Sequence, residues 1–241
     1  MSVDILLLAA GKSSRFNGIK QLADFDGELL INYVINNFAV MPFNTLYLAL
    51  GANADKILPE LRINLNTKLI AKLSPITCNN WSLGMGNTIS DAVSYIDEQK
   101  QKQKQSPNQS LTQSTPQLAN QATGNKLVSQ SRALLITLAD QPLIPSSHYQ
   151  ALYKKHLAHP EKIITTQAVG KLMAPVIFPS RYFSQLTKLS GHKGAQSLIN
   201  LYSQETLSVQ CDQAMADIDT VDDLQTRLLA LNKRSKHEVN H

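Results

Sequence analysis

The chain has 241 residues, 23 Lys+Arg against 18 Asp+Glu for a formal net charge of +5, 43% hydrophobic residues and 17% charged ones. That length suits one large α/β domain or two small ones, and the composition is that of a globular protein. No apolar run reaches the roughly 20 residues of a membrane span, and no basic face interleaved with aromatics argues for nucleic acid.

The start, Met1-Ser2-Val3-Asp4, has neither a basic n-region nor a small-residue cleavage site, so a cytoplasmic protein is expected. Cys78 and Cys211 show no metal spacing and read as free thiols. Ile5-Leu6-Leu7-Leu8 then reads as a strand buried on both faces. It breaks into Ala9-Ala10-Gly11, where the small side chains let a ligand approach the backbone, and successive N–H groups can form an anion site. Arg15 and Lys20 add two cations near the same place. Gly11-Lys12-Ser13 is only half a P-loop, because the position five residues before Gly11 is Leu6. The dinucleotide fingerprint fails too, since no further glycine follows until Gly18. On its own this stretch is equally an ordinary strand-to-helix turn with solvated cations.

The pattern Leu8-Ala9-Ala10-Gly11-x-Ser13-x-Arg15-Phe16-x-Gly18-x-Lys20 resembles the signature loop of the nucleotidyltransferase family of molybdenum cofactor guanylyl- and cytidylyltransferases. The Ala-Ala-Gly form resembles the cytidylyl branch. The resemblance implies a nucleoside triphosphate held by this loop.

Further on, Leu30, Tyr33, Val34, Asn37, Phe38 and Met41 follow helical spacing up to Pro42. A second buried strand is expected over 45–50, a short helix over 55–61 and a strand over 69–73. This alternation argues for βαβ units and a parallel sheet. The run 79–89 is a glycine-containing turn feeding a helix that carries Ile89, Ala92, Val93 and Ile96. It is either a second ligand site or a plain helix entry capped by Asn87 or Thr88. Trp81-x-x-Gly84-Met85-Gly86-x-Thr88 resembles the family's second nucleotide-contacting segment, with Thr88 where Ser is usual. Residues 98–131 are polar and low in complexity, too poor in large apolar residues to bury a core, and read as a disordered insertion within one domain.

The run 132–138 reads as a buried strand leading to Asp140, and the carboxyl ends of strands are where open α/β sheets hold ligands. A carboxylate there suits Mg²⁺; a turn-forming Asp before Pro142 is the alternative. Leu138-Ala139-Asp140-Gln141-Pro142 resembles the family's metal-binding strand end, and its Gln-Pro form again leans toward the cytidylyl branch. A helix over 147–157 and a strand over 162–167 follow. The segments 170–178 and 186–196 resemble two more family segments, but Met173, Ala174, His192 and Gln196 replace the usual residues. These departures fall in the half expected to face the acceptor. His192 reads as an exposed loop residue before it reads as a general base. Finally, Asp217-Ile218-Asp219-Thr220-x-x-Asp223-Leu224 resembles the family's closing motif. Thr220 and Asp223 suit a capping box opening a helix with Val221, Leu224, Leu228 and Leu231.

The expected architecture is therefore a single α/β domain over 1–231, a Rossmann-like three-layer sandwich with a mostly parallel sheet, followed by a disordered tail over 232–241. The resemblance implies transfer of CMP from CTP to the terminal phosphate of molybdopterin or its molybdenum form, with release of pyrophosphate. It assigns Arg15 and Lys20 to catalysis; Leu8, Ala9, Ala10, Gly11, Arg15, Lys20, Gly84, Thr88 and Asp140 to the nucleotide; and Asp140 with Asp219 to Mg²⁺. A molybdenum hydroxylase is the expected protein partner. GTP, another phosphate acceptor, and a non-catalytic cofactor chaperone are the alternatives.

Overall fold

In the computed structural model, which describes residues 2–105 and 132–238, β1 (Ser2–Leu8) runs through the middle of a seven-stranded sheet. On one side it pairs in parallel with β4 (Leu46–Leu50), and β4 with β5 (Leu73–Thr77). On the other it pairs in parallel with β6 (Arg132–Leu138), in the register Ser2↔Arg132 to Leu8↔Leu138. Beyond β6, β8 (Lys171–Pro179) enters antiparallel, followed by β7 (Ile163–Ala168) and β9 (Thr206–Gln210). A two-stranded ribbon, β2 (Asp24–Phe25) and β3 (Glu28–Leu29), stands apart. The sheet is thus mostly parallel, as the apolar runs imply.

Period-two alternation in β1 sends its side chains into two separate cores. Ile5 and Leu7 pack with residues of α1 (Leu30–Asn36), α2 (Ala54–Asn64) and α5 (Ser146–Ala158). Leu6 and Leu8 pack with α4 (Met85–Gln105), α6 (Phe183–Leu186) and α7 (Gln196–Leu201) on the opposite face. These are the three layers. A smaller cluster joins Phe16, Phe25, Leu30, Leu143 and Ile218 to Leu224 and Leu228 of α8 (Val221–Glu238), which fastens the closing motif beside the first loop.

Three boundaries differ from expectation. The strand expected over 69–73 begins only at Leu73, because Asn66 caps a short helix α3 (Thr67–Ile70) by accepting a hydrogen bond from the Lys68 N–H at 2.9 Å. Helix α4 continues to Gln105, so 98–105 is helical rather than part of a loop; Gln and Lys are good helix formers and extend an existing helix without a new nucleation cost. The remainder of the expected insertion, 106–131, lies outside the described residues. For the same reason α8 continues through 232–238 to Glu238, where a disordered tail was expected. No helix among the described residues is long and apolar enough to cross a membrane.

Candidate functional site

At the carboxyl ends of β1 and β6 the chain encloses a cavity of about 530 Å³, within the size range of small-molecule sites. Leu8, Ala9, Ala10, Gly11, Arg15, Lys20, Gly84, Thr88 and Asp140, distant in sequence, all line it. So do Trp81, Met85 and His192. Asp219 reaches the same place through its ion pairs with Arg15 and Lys20.

The loop after β1 is held from beneath by Gln21, which is buried. Its Nε2 donates to the Ala9 carbonyl at 3.1 Å, while its Oε1 accepts from Ser13 Oγ at 3.2 Å. The Ala9 N–H also bonds to Ala49 of β4, so the loop is pinned on both sides. Above Gly11 the space is open: a Cβ added there would meet no described atom within 4 Å. Gln21 was not singled out from the sequence, where nothing beside it marks its amide as buried.

Lys20 is the electrostatic centre. Its Nζ donates to Asp140 Oδ2 at 2.6 Å, to the Ile218 carbonyl at 3.0 Å and to Asp219 Oδ1 at 3.3 Å. Burial pushes its ammonium pKa down, but the two carboxylates outweigh this and hold it above the ordinary lysine value. Arg15 closes the set, its guanidinium 2.7 Å from Asp219 Oδ2. Asp140 Oδ1 is buried and has no hydrogen-bond partner among the described residues. Nearby, burial and then the Asp140 carboxylate push the Asp217 carboxyl up to about 6. No group of three or more His, Cys, Asp or Glu side chains among the described residues forms a metal cage. Two carboxylates, one with a buried orphan oxygen, are the kind of oxygen donors that hard cations take alongside phosphates and water.

Gln141 lies outside the cavity lining. It follows Asp140 but points the other way: it is buried and donates to the Ala214 carbonyl and to Asp217 rather than lining the cavity. It therefore cannot discriminate bases by contact.

The glycines of 84–86 also have a reason that the sequence did not reveal. The loop 190–194 lies directly on them: Gly86 N–H donates to the Gly191 carbonyl at 2.8 Å, and Gly191 N–H donates to Asn87 Oδ1 at 2.8 Å. This interlock brings His192 to the cavity wall opposite the first loop. A Cβ on Gly86 would stand 2.6 Å from the Ser190 carbonyl oxygen, backbone that cannot swing aside. Gly86→Ala is therefore expected to lower the unfolding free energy by about 1–3 kcal/mol, although alanine normally stabilises a helix. Urea denaturation measures this, and a gain in stability would show that the loop yields.

The solved structures that resemble the chain carry the same fold at low sequence identity. Rv0371c from Mycobacterium tuberculosis H37Rv is 18% identical with a TM-score of 0.64, covering 95% of this chain and 98% of its own. Its homologue from Mycobacterium sp. strain JC1 is 20% identical with a TM-score of 0.66, covering 96% and 97%. Molybdopterin-guanine dinucleotide biosynthesis protein A from Archaeoglobus fulgidus is 12% identical with a TM-score of 0.57, covering 95% and 99%. No curated protein sequence matches. The model of the MobA-like NTP transferase domain matches residues 5–209, the span that carries the cavity, and the chain belongs to that family.

Proposed function

We propose that this NTP transferase moves CMP from CTP to the terminal phosphate of a molybdopterin-type acceptor. The observation that carries the reading is the convergence of Lys20, Arg15, Asp140 and Asp219 at one end of a cavity walled by the small residues Ala9, Ala10 and Gly11. An oxygen of the acceptor phosphate attacks the α-phosphorus of CTP. The new P–O bond forms as the α–β bridging bond breaks, and pyrophosphate leaves with that bond's electrons. The acceptor is already ionised at neutral pH, so no strong general base is needed. Such a reaction depends on position and charge.

Lys20 neutralises charge that develops around the α-phosphate, and the Arg15 fork holds the outer phosphates. Both cations are now engaged with carboxylates, so they exchange those partners for phosphate oxygens when the nucleotide enters. Asp140, through its orphan Oδ1, and Asp219 would hold Mg²⁺. Bound there, the metal would supply Lewis-acid polarisation of the phosphates. A structure of Rv0371c has been solved in complex with manganese, which supports a divalent cation in this fold. A molybdenum hydroxylase is the natural recipient of the product.

The methyl of Ala10, buried at the cavity floor, narrows the room for a base and favours a pyrimidine. Competition between CTP and GTP, read as labelled pyrophosphate released in the presence of molybdopterin, is expected to favour CTP. Preference for GTP would move the chain to guanylyl transfer. Tight nucleotide binding without release of pyrophosphate from CTP in the presence of any acceptor would make it a cofactor chaperone.

A further inference from the structure

We infer that Gln141 and Asp217 form a clasp that positions Asp219 and Asp140 to share one cation; this rests on the metal reading above. The closing motif reaches the cavity from far along the chain. Among the described residues, a short set of bonds stitches 214–218 to the end of β6. The Gln141 amide gives one hydrogen to the Ala214 carbonyl at 2.8 Å and the other to Asp217 Oδ1 at 2.9 Å. Alongside it, Ile218 N–H donates to the Asp140 carbonyl at 2.9 Å. One residue later, Asp219 faces Lys20 across from Asp140. That backbone bond, the Lys20 ammonium on the Ile218 carbonyl and the Asp219 N–H donated to Asp223 Oδ2 hold the backbone around Asp219. The Gln141 amide adds two further points on one side and so sets the direction in which Asp219 leaves.

The chemistry of Gln141 supports a positioning role over simple filling. Its Oε1 is buried without a partner among the described residues. An unsatisfied buried carbonyl costs about 1–3 kcal/mol, which an apolar side chain at that place would avoid. The amide is kept for its two donors. With its Oδ1 accepting from that amide, Asp217 is assigned to act through Gln141.

Mn²⁺ titration followed by electron paramagnetic resonance, with CTP present, tests the clasp on the full chain. Gln141→Leu and Asp217→Ala are each expected to raise the Mn²⁺ Kd about 10–100-fold, the usual cost of losing a group that orients a metal ligand. The double variant should be no worse than the weaker single, because the two residues act as one unit. Asp217→Asn keeps an oxygen for the Gln141 amide and should bind Mn²⁺ close to wild type. If Asp217→Asn loses as much as Asp217→Ala, Asp217 is itself a ligand and the inference falls. It falls too if Gln141→Leu and Asp217→Ala leave the Mn²⁺ Kd unchanged while lowering Tm, since the contact is then only structural. Asp140→Asn is the reference: if it also leaves Mn²⁺ binding unchanged, the metal reading has failed rather than the clasp.

Discussion

Lys20→Ala is expected to lower kcat by about 10²–10³-fold, the usual cost of removing one preorganised donor from a transition state, while CTP affinity changes far less. The structure adds a second signature. Lys20 Nζ sits 2.6 Å from Asp140 Oδ2 and 3.3 Å from Asp219 Oδ1, so under the proposed metal reading it competes with the cation for both carboxylates. In Lys20→Ala those oxygens are released, and Mn²⁺ in the absence of nucleotide should bind more tightly than to wild type. Single-turnover kinetics with a parallel Mn²⁺ titration measures both effects. Equal losses in rate and in CTP affinity would assign Lys20 to uniform nucleotide binding instead.

Asp140→Asn is expected to reduce turnover by at least about 10²-fold, because a bound metal contributes several kcal/mol of charge stabilisation and each 1.4 kcal/mol is about tenfold in rate. Half-saturation by Mg²⁺ should move upward. The fold should survive. Removing one member of a buried ion pair is costly when the other is stranded, but here Asp219 and the Ile218 carbonyl still receive the Lys20 ammonium. A stability loss below about 2 kcal/mol, or about 4–8 °C in Tm, is the expected result. Collapse of the fold would show Asp140 to be a turn residue first.

The parts of this site that were readable in the sequence are those whose physics is local. A buried strand running into Ala9-Ala10-Gly11 announces both the strand and the gap beyond it, and an apolar run ending at Asp140 places a carboxylate at a strand's carboxyl end. The capping box is local as well: Asp223 N–H donates to Thr220 Oγ1 at 3.1 Å, and Asp223 Oδ2 accepts from the Thr220 N–H at 2.9 Å. What stayed hidden depends on residues far apart. Gln141 and Asp217 are 76 positions apart, so nothing near Gln141 says that its amide turns inward. Gly84 and Gly86 look like a ligand-binding turn, yet their missing side chains make room for the carbonyls of Ser190 and Gly191. The limits of α4 and α8 were missed because hydrophobic periodicity fades where a helix leaves the core, while propensity and cooperativity carry it on.

The parallel pairing of β1 and β6 has a consequence for how this protein can be altered. Leu8 and Leu138 lie side by side at the cavity, so Ser2 and Arg132, at the other end of the same register, lie at the far edge of the sheet. Helix α4 leaves the cavity at Met85 and runs about 30 Å before Gln105. Arg132 is moored at that remote edge by its ion pair with Asp97 at 3.0 Å. Gln105 and Arg132, the described residues on either side of 106–131, thus both lie toward the end of the molecule away from the cavity. Doubling the length of a connection changes the closure entropy by only about 0.6 kcal/mol. A fluorescent or affinity tag inserted between Gln105 and Arg132 is therefore expected to leave Tm close to that of the untagged chain, which thermal unfolding measures.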